Sequence, residues 1–165
     1  MGLATVTPMA DRPEPNLFAD AGELLRMMVP GGLGDIRTRA HRRGVKVWFG
    51  PEKPTREHYE AQLIPRRFVD DRDGAVLEIG FHAEHSDEGA NQAVADRLQA
   101  KATIWRKELG ASAELDTFLG RDSWRRLSEI WDDVAELETD PEAPFEIACR
   151  LVDYLSVIEP IRLGD

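Results

Sequence analysis

Residues 59–84 read YEAQLIPRRFVDDRDGAVLEIGFHAE, and the two halves of this stretch decide the fold. Apolar residues occupy alternate positions in both halves: Tyr59, Ala61, Leu63, Leu77, Ile79, Phe81 and Ala83. A period of two is typical of a strand that buries one face. The stretch therefore predicts a β-hairpin from Tyr59 to Glu84, with one apolar face and one face rich in His and Glu.

The register of this hairpin follows from the requirement that the two apolar faces coincide. Odd-numbered residues must then face odd-numbered residues, so the sum of each pair of residue numbers is even. A two-residue turn at Asp73 and Gly74 gives an odd sum, whereas a three-residue loop that starts at Arg72 gives an even one. We therefore expect the loop to be Arg72, Asp73 and Gly74, with Gly74 in the left-handed conformation.

The segments on either side of the hairpin supply further strands and helices. Strands are predicted at residues 45–49, 113–119 and 123–131. Helices are predicted at residues 16–28, at 35–43, from an N-cap at Ser86 to Gly110, and from Pro144 to just before Pro160. The acidic segment from Asp132 to Glu142 is expected to be a loop. Together these elements predict an α+β fold, in which an antiparallel sheet of about five strands has long helices packed on one face.

Length and composition indicate one domain. The chain has 165 residues and 42% hydrophobic content, which suits a single core. Residues 1–15 contain three prolines and are expected to form a flexible tail, followed by a single domain at 16–165. Cys149 is the only cysteine, so no disulfide can form within the chain. With no apolar run long enough for a membrane span and no recognisable leader, we expect a cytoplasmic protein that makes no membrane contact.

Charge is distributed unevenly along the chain. The net charge is −10, yet residues 1–70 carry 11 basic and 9 acidic residues, against 10 and 22 in residues 71–165. Basic residues cluster next to Trp48: Arg37, Arg39, Arg42, Arg43 and Lys46. Guanidinium groups beside a partly exposed aromatic suit phosphate contacts and base stacking, so these six residues are a candidate nucleic-acid site. The alternative, which we favour at this stage, is the solvated outer face of the predicted helix at 35–43.

The polar face of the hairpin is the other candidate site. Its members are His58, Glu60, Gln62, His82 and Glu84. Imidazole and carboxylate groups on one face can bind Zn²⁺ or another divalent ion, or act as acid and base. Alternation also produces such a face wherever a sheet meets water, and a solvated surface is the interpretation favoured by the sequence. Gly80 is unusual within a strand and indicates close approach of a ligand or backbone, or a bulge.

Familiar catalytic motifs are absent from the sequence. It contains no Gly-x-Ser-x-Gly, His-Glu-x-x-His or Cys-x-x-Cys. The glycines at 31, 32 and 34 lack the Lys-Ser/Thr ending of a phosphate-binding loop and are expected to form a linker. We therefore expect a protein that is not an enzyme and that needs no cofactor.

From Val76 onward, the order of features resembles an uncharacterised bacterial domain that often follows predicted restriction-type nucleases. The matching features are the strand at 76–79, Asn91, Leu98, Leu109–Gly110, the strand around Trp124 and the closing helix near Val152. The resemblance covers residues 76–165. It implies a role in nucleic-acid metabolism or phage defence, and it supplies no catalytic residue.

Three functional hypotheses follow from the sequence. The preferred one is a non-catalytic interaction module that binds a protein or a nucleic acid. The second is a metal-dependent or small-molecule-binding enzyme that uses the His/Glu face. The third is an acidic surface at 132–142 that docks a basic partner or mimics nucleic acid. A homodimer through the final helix or an open sheet edge is an expectation compatible with each.

Overall fold

The computed structural model describes residues 16–164, and its centre is an antiparallel sheet of six strands. The strands are β1 (Ile36–His41), β2 (Gly44–Phe49), β3 (Glu57–Pro65), β4 (Ala75–Ala83), β5 (Glu114–Phe118) and β6 (Arg121–Trp131). Their order across the sheet is β1-β2-β3-β4-β6-β5, and all neighbours pair antiparallel. The predicted α+β sheet is confirmed, with six strands. The predicted flexible tail at 1–15 lies outside the described residues.

Five helices accompany the sheet within residues 16–164. They are α1 (Leu17–Met28), α2 (Glu88–Ala100), α3 (Ala102–Leu109), α4 (Val134–Thr139) and α5 (Ala143–Leu163). α5 packs against β3 and β4, α1 packs against α5, β1 and β2, and α2 packs against β5 and β6. None of these helices combines the length and the apolar content that a membrane span requires.

The core lies between the helices and the odd-numbered face of the central strands. Tyr59, Ile79 and Phe81 are almost completely buried there, and they meet Leu151 and Leu155 of α5. Burying a large apolar side chain contributes roughly 1.5–3 kcal/mol, so this layer supplies much of the stability. The predicted apolar face of the hairpin is confirmed by this arrangement.

A buried polar network on the core side ties α5 to β6. Glu129 accepts hydrogen bonds from Arg150 at 2.7 Å and from the Tyr154 hydroxyl at 2.9 Å. Its other oxygen accepts one from the Trp131 indole at 2.9 Å. Each donor offsets the cost of removing the Glu129 carboxylate from water, which makes the network compatible with burial.

The hairpin register has the predicted even parity, but the predicted loop is wrong. Tyr59 faces Phe81, while Pro65 faces Ala75, so residues 66–74 form the connection. Gly74 has a φ of 106°, as expected for the left-handed residue.

Local bonds within this connection explain why it is longer than three residues. Arg66 begins a short 3₁₀ turn, and its backbone N–H donates to the Gly74 carbonyl at 2.8 Å. The guanidinium groups of Arg66 and Arg72 both bind the Asp70 carboxylate. The backbone bond continues the register beyond Pro65 and Ala75, and the ion pairs with Asp70 hold part of the connection as a compact turn.

Four other segments differ from their predicted structures. Residues 35–43 hold strand β1 instead of a helix, and the helix predicted from Ser86 to Gly110 is divided at Lys101 into α2 and α3. The acidic segment contains α4. α5 continues through Pro160 to Leu163, because Pro160 removes only one backbone donor while the last turn still buries Ile161.

The second face of the sheet carries the even-numbered residues of the central strands and is covered by loops and side chains of the sheet. The Phe118 ring stands edge-on to the His82 ring, with 4.9 Å between their centroids. Phe68 of the β3–β4 connection lies against Gly120 of the β5–β6 turn. These contacts bring the ends of two connections over the even-numbered face and exclude water from its centre.

Candidate metal centre

Two His-x-Glu triplets meet on the second face of the sheet. His58 and Glu60 belong to β3, and His82 and Glu84 lie at the end of β4. His58 faces His82 across the pair. An antiparallel pair has a local two-fold axis between facing residues, so Glu60 and Glu84 lie on opposite sides of the two histidines. The four side chains therefore converge because of the register alone.

Each inner histidine nitrogen lies at the same distance from two carboxylate oxygens. His58 Nε2 lies 3.4 Å from Glu60 Oε2 and 3.4 Å from Glu84 Oε1. His82 Nδ1 lies 3.4 Å from each of the same two oxygens. All four atoms are within 4.8 Å of one another. Tetrahedral Zn²⁺ with bonds of about 2.1 Å needs ligand spacings of about 3.4 Å, which these contacts match.

The outer nitrogens of both histidines already have acceptors. His58 Nδ1 lies 2.9 Å from the Thr55 carbonyl oxygen, which accepts only, so this nitrogen carries a proton. His82 Nε2 lies 2.6 Å from Glu78 Oε1. If the imidazole is neutral, the other ring nitrogen carries a lone pair and no proton. In both residues that nitrogen points into the cluster. Carboxylate or carbonyl groups behind histidines are the usual way to orient metal ligands.

The inner nitrogens have no conventional partner. Neither His58 Nε2 nor His82 Nδ1 makes a hydrogen bond to any group within residues 16–164. Their side chains are only 1% and 0% exposed. A buried polar atom without a partner costs about 1–3 kcal/mol. Two lone pairs and two carboxylates that face one another require a cation between them, either a metal ion or a proton.

The ionisation of the cluster favours carboxylates in their charged form. Burial raises the pKa of Glu60, but the adjacent imidazoles of His58 and His82 outweigh it and lower the pKa to about 2. The pKa of Glu84 is held well below its ordinary range in the same way. Burial lowers the pKa of His82, yet Glu78 and the two carboxylates raise it well above its ordinary value. A proton on His82 is therefore the alternative to a metal ion at the centre of the cluster.

Gly80 forms the floor beside this cluster. It faces Glu60 on one side and Ser128 of β6 on the other. A Cβ atom on Gly80 would lie 2.6 Å from Ser128 Cα, which is closer than real side chains come. The close approach predicted for Gly80 is therefore that of another backbone, and β6 supplies it.

The structure corrects two predictions about the polar face. The expected solvated surface is wrong, because His58, Glu60 and His82 are 2%, 6% and 0% exposed. Gln62 does not join the other four candidates, since its amide donates to Glu78 Oε2 at 3.3 Å. Sequence reasoning missed Glu78, although its even number placed it on the same face. It also missed Thr55, because the acceptor there is the backbone carbonyl oxygen, which every residue type has.

The basic candidates lie on the same face, at the edge of the sheet. Arg37 faces Trp48 and Arg39 faces Lys46 across the β1–β2 pair, while Arg42 and Arg43 form the turn. Lys46 Nζ lies 3.8 Å from Glu60 Oε2, beside the His/Glu cluster.

Trp48 is not the partly exposed aromatic that the sequence suggested. It is 3% exposed, and its indole donates to the Pro51 carbonyl at 2.8 Å. The Arg39 guanidinium covers its ring at 5.8 Å from the centroid. Stacking of a base on Trp48 is therefore blocked.

The acidic candidate at 132–142 is mostly exposed. Asp132 binds Arg66 of the β3–β4 connection at 2.9 Å, while Asp133, Glu136 and Glu138 face solvent. A cluster of exposed acids is ordinary on a protein with this net charge. It carries no geometry that specifies a ligand.

No protein-family model matches the chain, and no curated protein or solved structure matches it either. The resemblance of residues 76–165 to a domain found behind restriction-type nucleases is neither supported nor contradicted by these comparisons, and it stays a prediction. The properties of the candidate site itself are thus the basis for assigning a function.

Proposed function

We propose that this protein binds one divalent transition-metal ion, zinc by preference, through His58, Glu60, His82 and Glu84. The observation that supports the proposal most is the pair of buried imidazole nitrogens without partners, each 3.4 Å from the same two carboxylate oxygens. A metal ion satisfies all four donors at once. A single proton satisfies them only in part.

The donor set favours zinc over the hard cations. Two nitrogens and two oxygens with nitrogen–oxygen spacings of 3.4 Å fit Zn²⁺, whereas Mg²⁺ and Ca²⁺ require six or more oxygen ligands. Thiolate-binding metals have no partner here, since Cys149 lies on α5, outside the cluster.

A structural role fits better than a catalytic one. Four protein ligands fill a tetrahedral ion and leave no open position for water or substrate. Because the ligands come from β3 and β4, the ion would clamp two central strands at one end. The metal would thus stabilise a non-catalytic module, in agreement with the preferred hypothesis from the sequence.

Metal analysis of the purified protein tests this proposal. We expect about one equivalent of zinc per chain, and well below that amount in His82→Ala and Glu84→Gln. His41→Ala is the matched control, because His41 is exposed at the end of β1 and lies outside the cluster. The control is expected to keep its full metal content.

Cobalt substitution provides an independent measurement. Co²⁺ in a tetrahedral site absorbs strongly in the visible region, and the band should be lost in Glu84→Gln while the far-ultraviolet circular dichroism is retained. A protein that is folded, that takes up no zinc or cobalt and that keeps His82 protonated would show that a proton holds the cluster, and the proposal would be wrong.

A further inference from the structure

A line of exposed cations runs along the outer edge of the sheet. Arg37 and Arg39 lie two residues apart on β1, so they share the face that also carries the His/Glu cluster. Arg42 and Arg43 extend the line around the turn, and all four are exposed. We call these four residues the arginine strip. A strand of six residues spans about 20 Å, which is the length over which the strip presents its charge.

Within the part of the chain that the structure describes, the strip's arginines form no ion pair with an acid. Among residues 16–164, no carboxylate lies within 4.0 Å of the side-chain nitrogens of its four arginines, Arg37, Arg39, Arg42 and Arg43. Other arginines do have such partners, for example Arg66 and Arg150. Uncompensated guanidinium groups are conspicuous in a chain with a net charge of −10. They leave most of their donors free for an anionic ligand.

Three of the arginines are held in place by the protein. Arg37 Nε donates to the Gly50 carbonyl at 2.7 Å, Arg39 lies over the Trp48 ring, and Arg43 donates to the Leu63 carbonyl at 3.4 Å. These contacts reduce the side-chain entropy that binding would cost. Planar guanidinium groups bind phosphate oxygens in pairs, which lysine cannot do.

We propose that the arginine strip binds the phosphate backbone of double-stranded nucleic acid. An extended row of cations fits a polyanion of regular charge spacing better than it fits a single phosphate or a compact acidic peptide. The burial of Trp48 favours a duplex over a single strand as the ligand. Single-strand binding depends on exposed aromatic side chains on which bases stack, and this strip has none. Contacts limited to phosphates also imply binding without sequence preference.

This proposal is independent of the metal centre. The strip shares no residue with the four proposed ligands. Lys46 contacts Glu60 and is left unchanged in the test for that reason.

Fluorescence anisotropy of a labelled mixed-sequence duplex over a salt series tests the proposal. Each phosphate contact adds about 0.9 to the slope of log K against log salt, so Arg37→Ala with Arg39→Ala should reduce the slope by about 2. Arg26→Ala with Lys107→Ala is the matched control, because it removes the same charge from exposed positions elsewhere. Arg37→Lys with Arg39→Lys should retain most of the slope.

Four outcomes would overturn the proposal. They are an unchanged slope in the double alanine variant, an equal loss in the matched control, tighter binding of the single strand than of the duplex, and binding of anionic lipid vesicles without binding of duplex. Circular dichroism of each variant shows whether a lost slope reflects lost contacts or lost structure. If Arg37→Ala with Arg39→Ala is unfolded, Arg42→Ala with Arg43→Ala in the exposed turn takes its place and should also reduce the slope by about 2.

Discussion

Gly80 faces Ser128 at a position where the backbone of β6 leaves no room for a side chain on β4. Its φ of 155° and the space that Ser128 occupies both disfavour a side chain. The sequence allowed close approach to be predicted there, because glycine within a strand is uncommon. It did not reveal what approaches, since the pairing of β4 with β6 bridges nearly fifty residues of chain.

We predict that Gly80→Ala destabilises the protein strongly. A strained backbone position alone costs about 1–3 kcal/mol, and contact between the new Cβ and Ser128 adds to that cost. The midpoint of urea unfolding measures the effect. Gly31→Ala is the control, because Gly31 has nothing within 4 Å and is expected to be neutral. Equal midpoints for the two variants would contradict this account of Gly80.

Among the elements, β1 shows how local signals can mislead. Asp35 before the segment and Arg42-Arg43-Gly44 after it are typical of helix ends, and they favoured a helix at 35–43. Within the segment, Ile36, Thr38 and Ala40 alternate with cations, which is the pattern of a strand. Pairing with β2 determined the outcome. Arginines on this edge also hinder pairing with another chain, which argues against a dimer through β1.

The connection between β3 and β4 determined whether the metal centre could be predicted. The apolar pattern predicts that paired residues have numbers with an even sum. It does not predict the length of the connection, because the bonds to Asp70 depend on side-chain geometry. The predicted loop would have placed His58 opposite Glu88 instead of His82. That register separates the two His-x-Glu triplets by about 20 Å along the strands. The sequence therefore placed the four residues on one polar face but did not bring them together at one point.

The start of α2 gives a matched test at the scale of one helix. Asp87, not Ser86 as predicted, is the N-cap, and its carboxylate accepts from the Gly89 and Ala90 amides at 3.2 Å each. We expect Asp87→Ala to lower the free energy of unfolding by about 1 kcal/mol and Ser86→Ala to leave it nearly unchanged. Chemical denaturation measures both. If Ser86→Ala lowered the free energy of unfolding more than Asp87→Ala did, Ser86 would be the N-cap instead.

At the scale of the whole molecule, helices cover one face of the sheet and the other face buries charged groups. Such a face gains little from the hydrophobic effect, since much of its buried area is polar. A metal ion between β3 and β4 would supply stability that a second apolar layer supplies in other sheets. The charge asymmetry was readable from the sequence, whereas burial of the polar face arose from the folding of distant loops.

Removal of metal is therefore expected to lower the melting temperature. Zinc at about 100 times its Kd adds about 2.7 kcal/mol to the stability of a one-site protein, which corresponds to roughly 5–10 °C for a chain of this size. Thermal melts with zinc and with a chelator measure the shift. Glu84→Gln should melt at the same temperature in both conditions. A shift that persists in this variant would mean that zinc acts elsewhere.

The local symmetry of the two His-x-Glu triplets makes the donor set transferable. All four donors come from one pair of strands, and only the facing of the two histidines brings them together. Both triplets can be grafted onto another antiparallel pair, with the histidines opposite each other and a glycine across from one glutamate. We expect all four side chains to meet there in the same arrangement. Other sheets can be searched for two His-x-Glu triplets whose histidines face each other on antiparallel strands. Such a search depends on the strand register and not on the length of the chain that connects the strands.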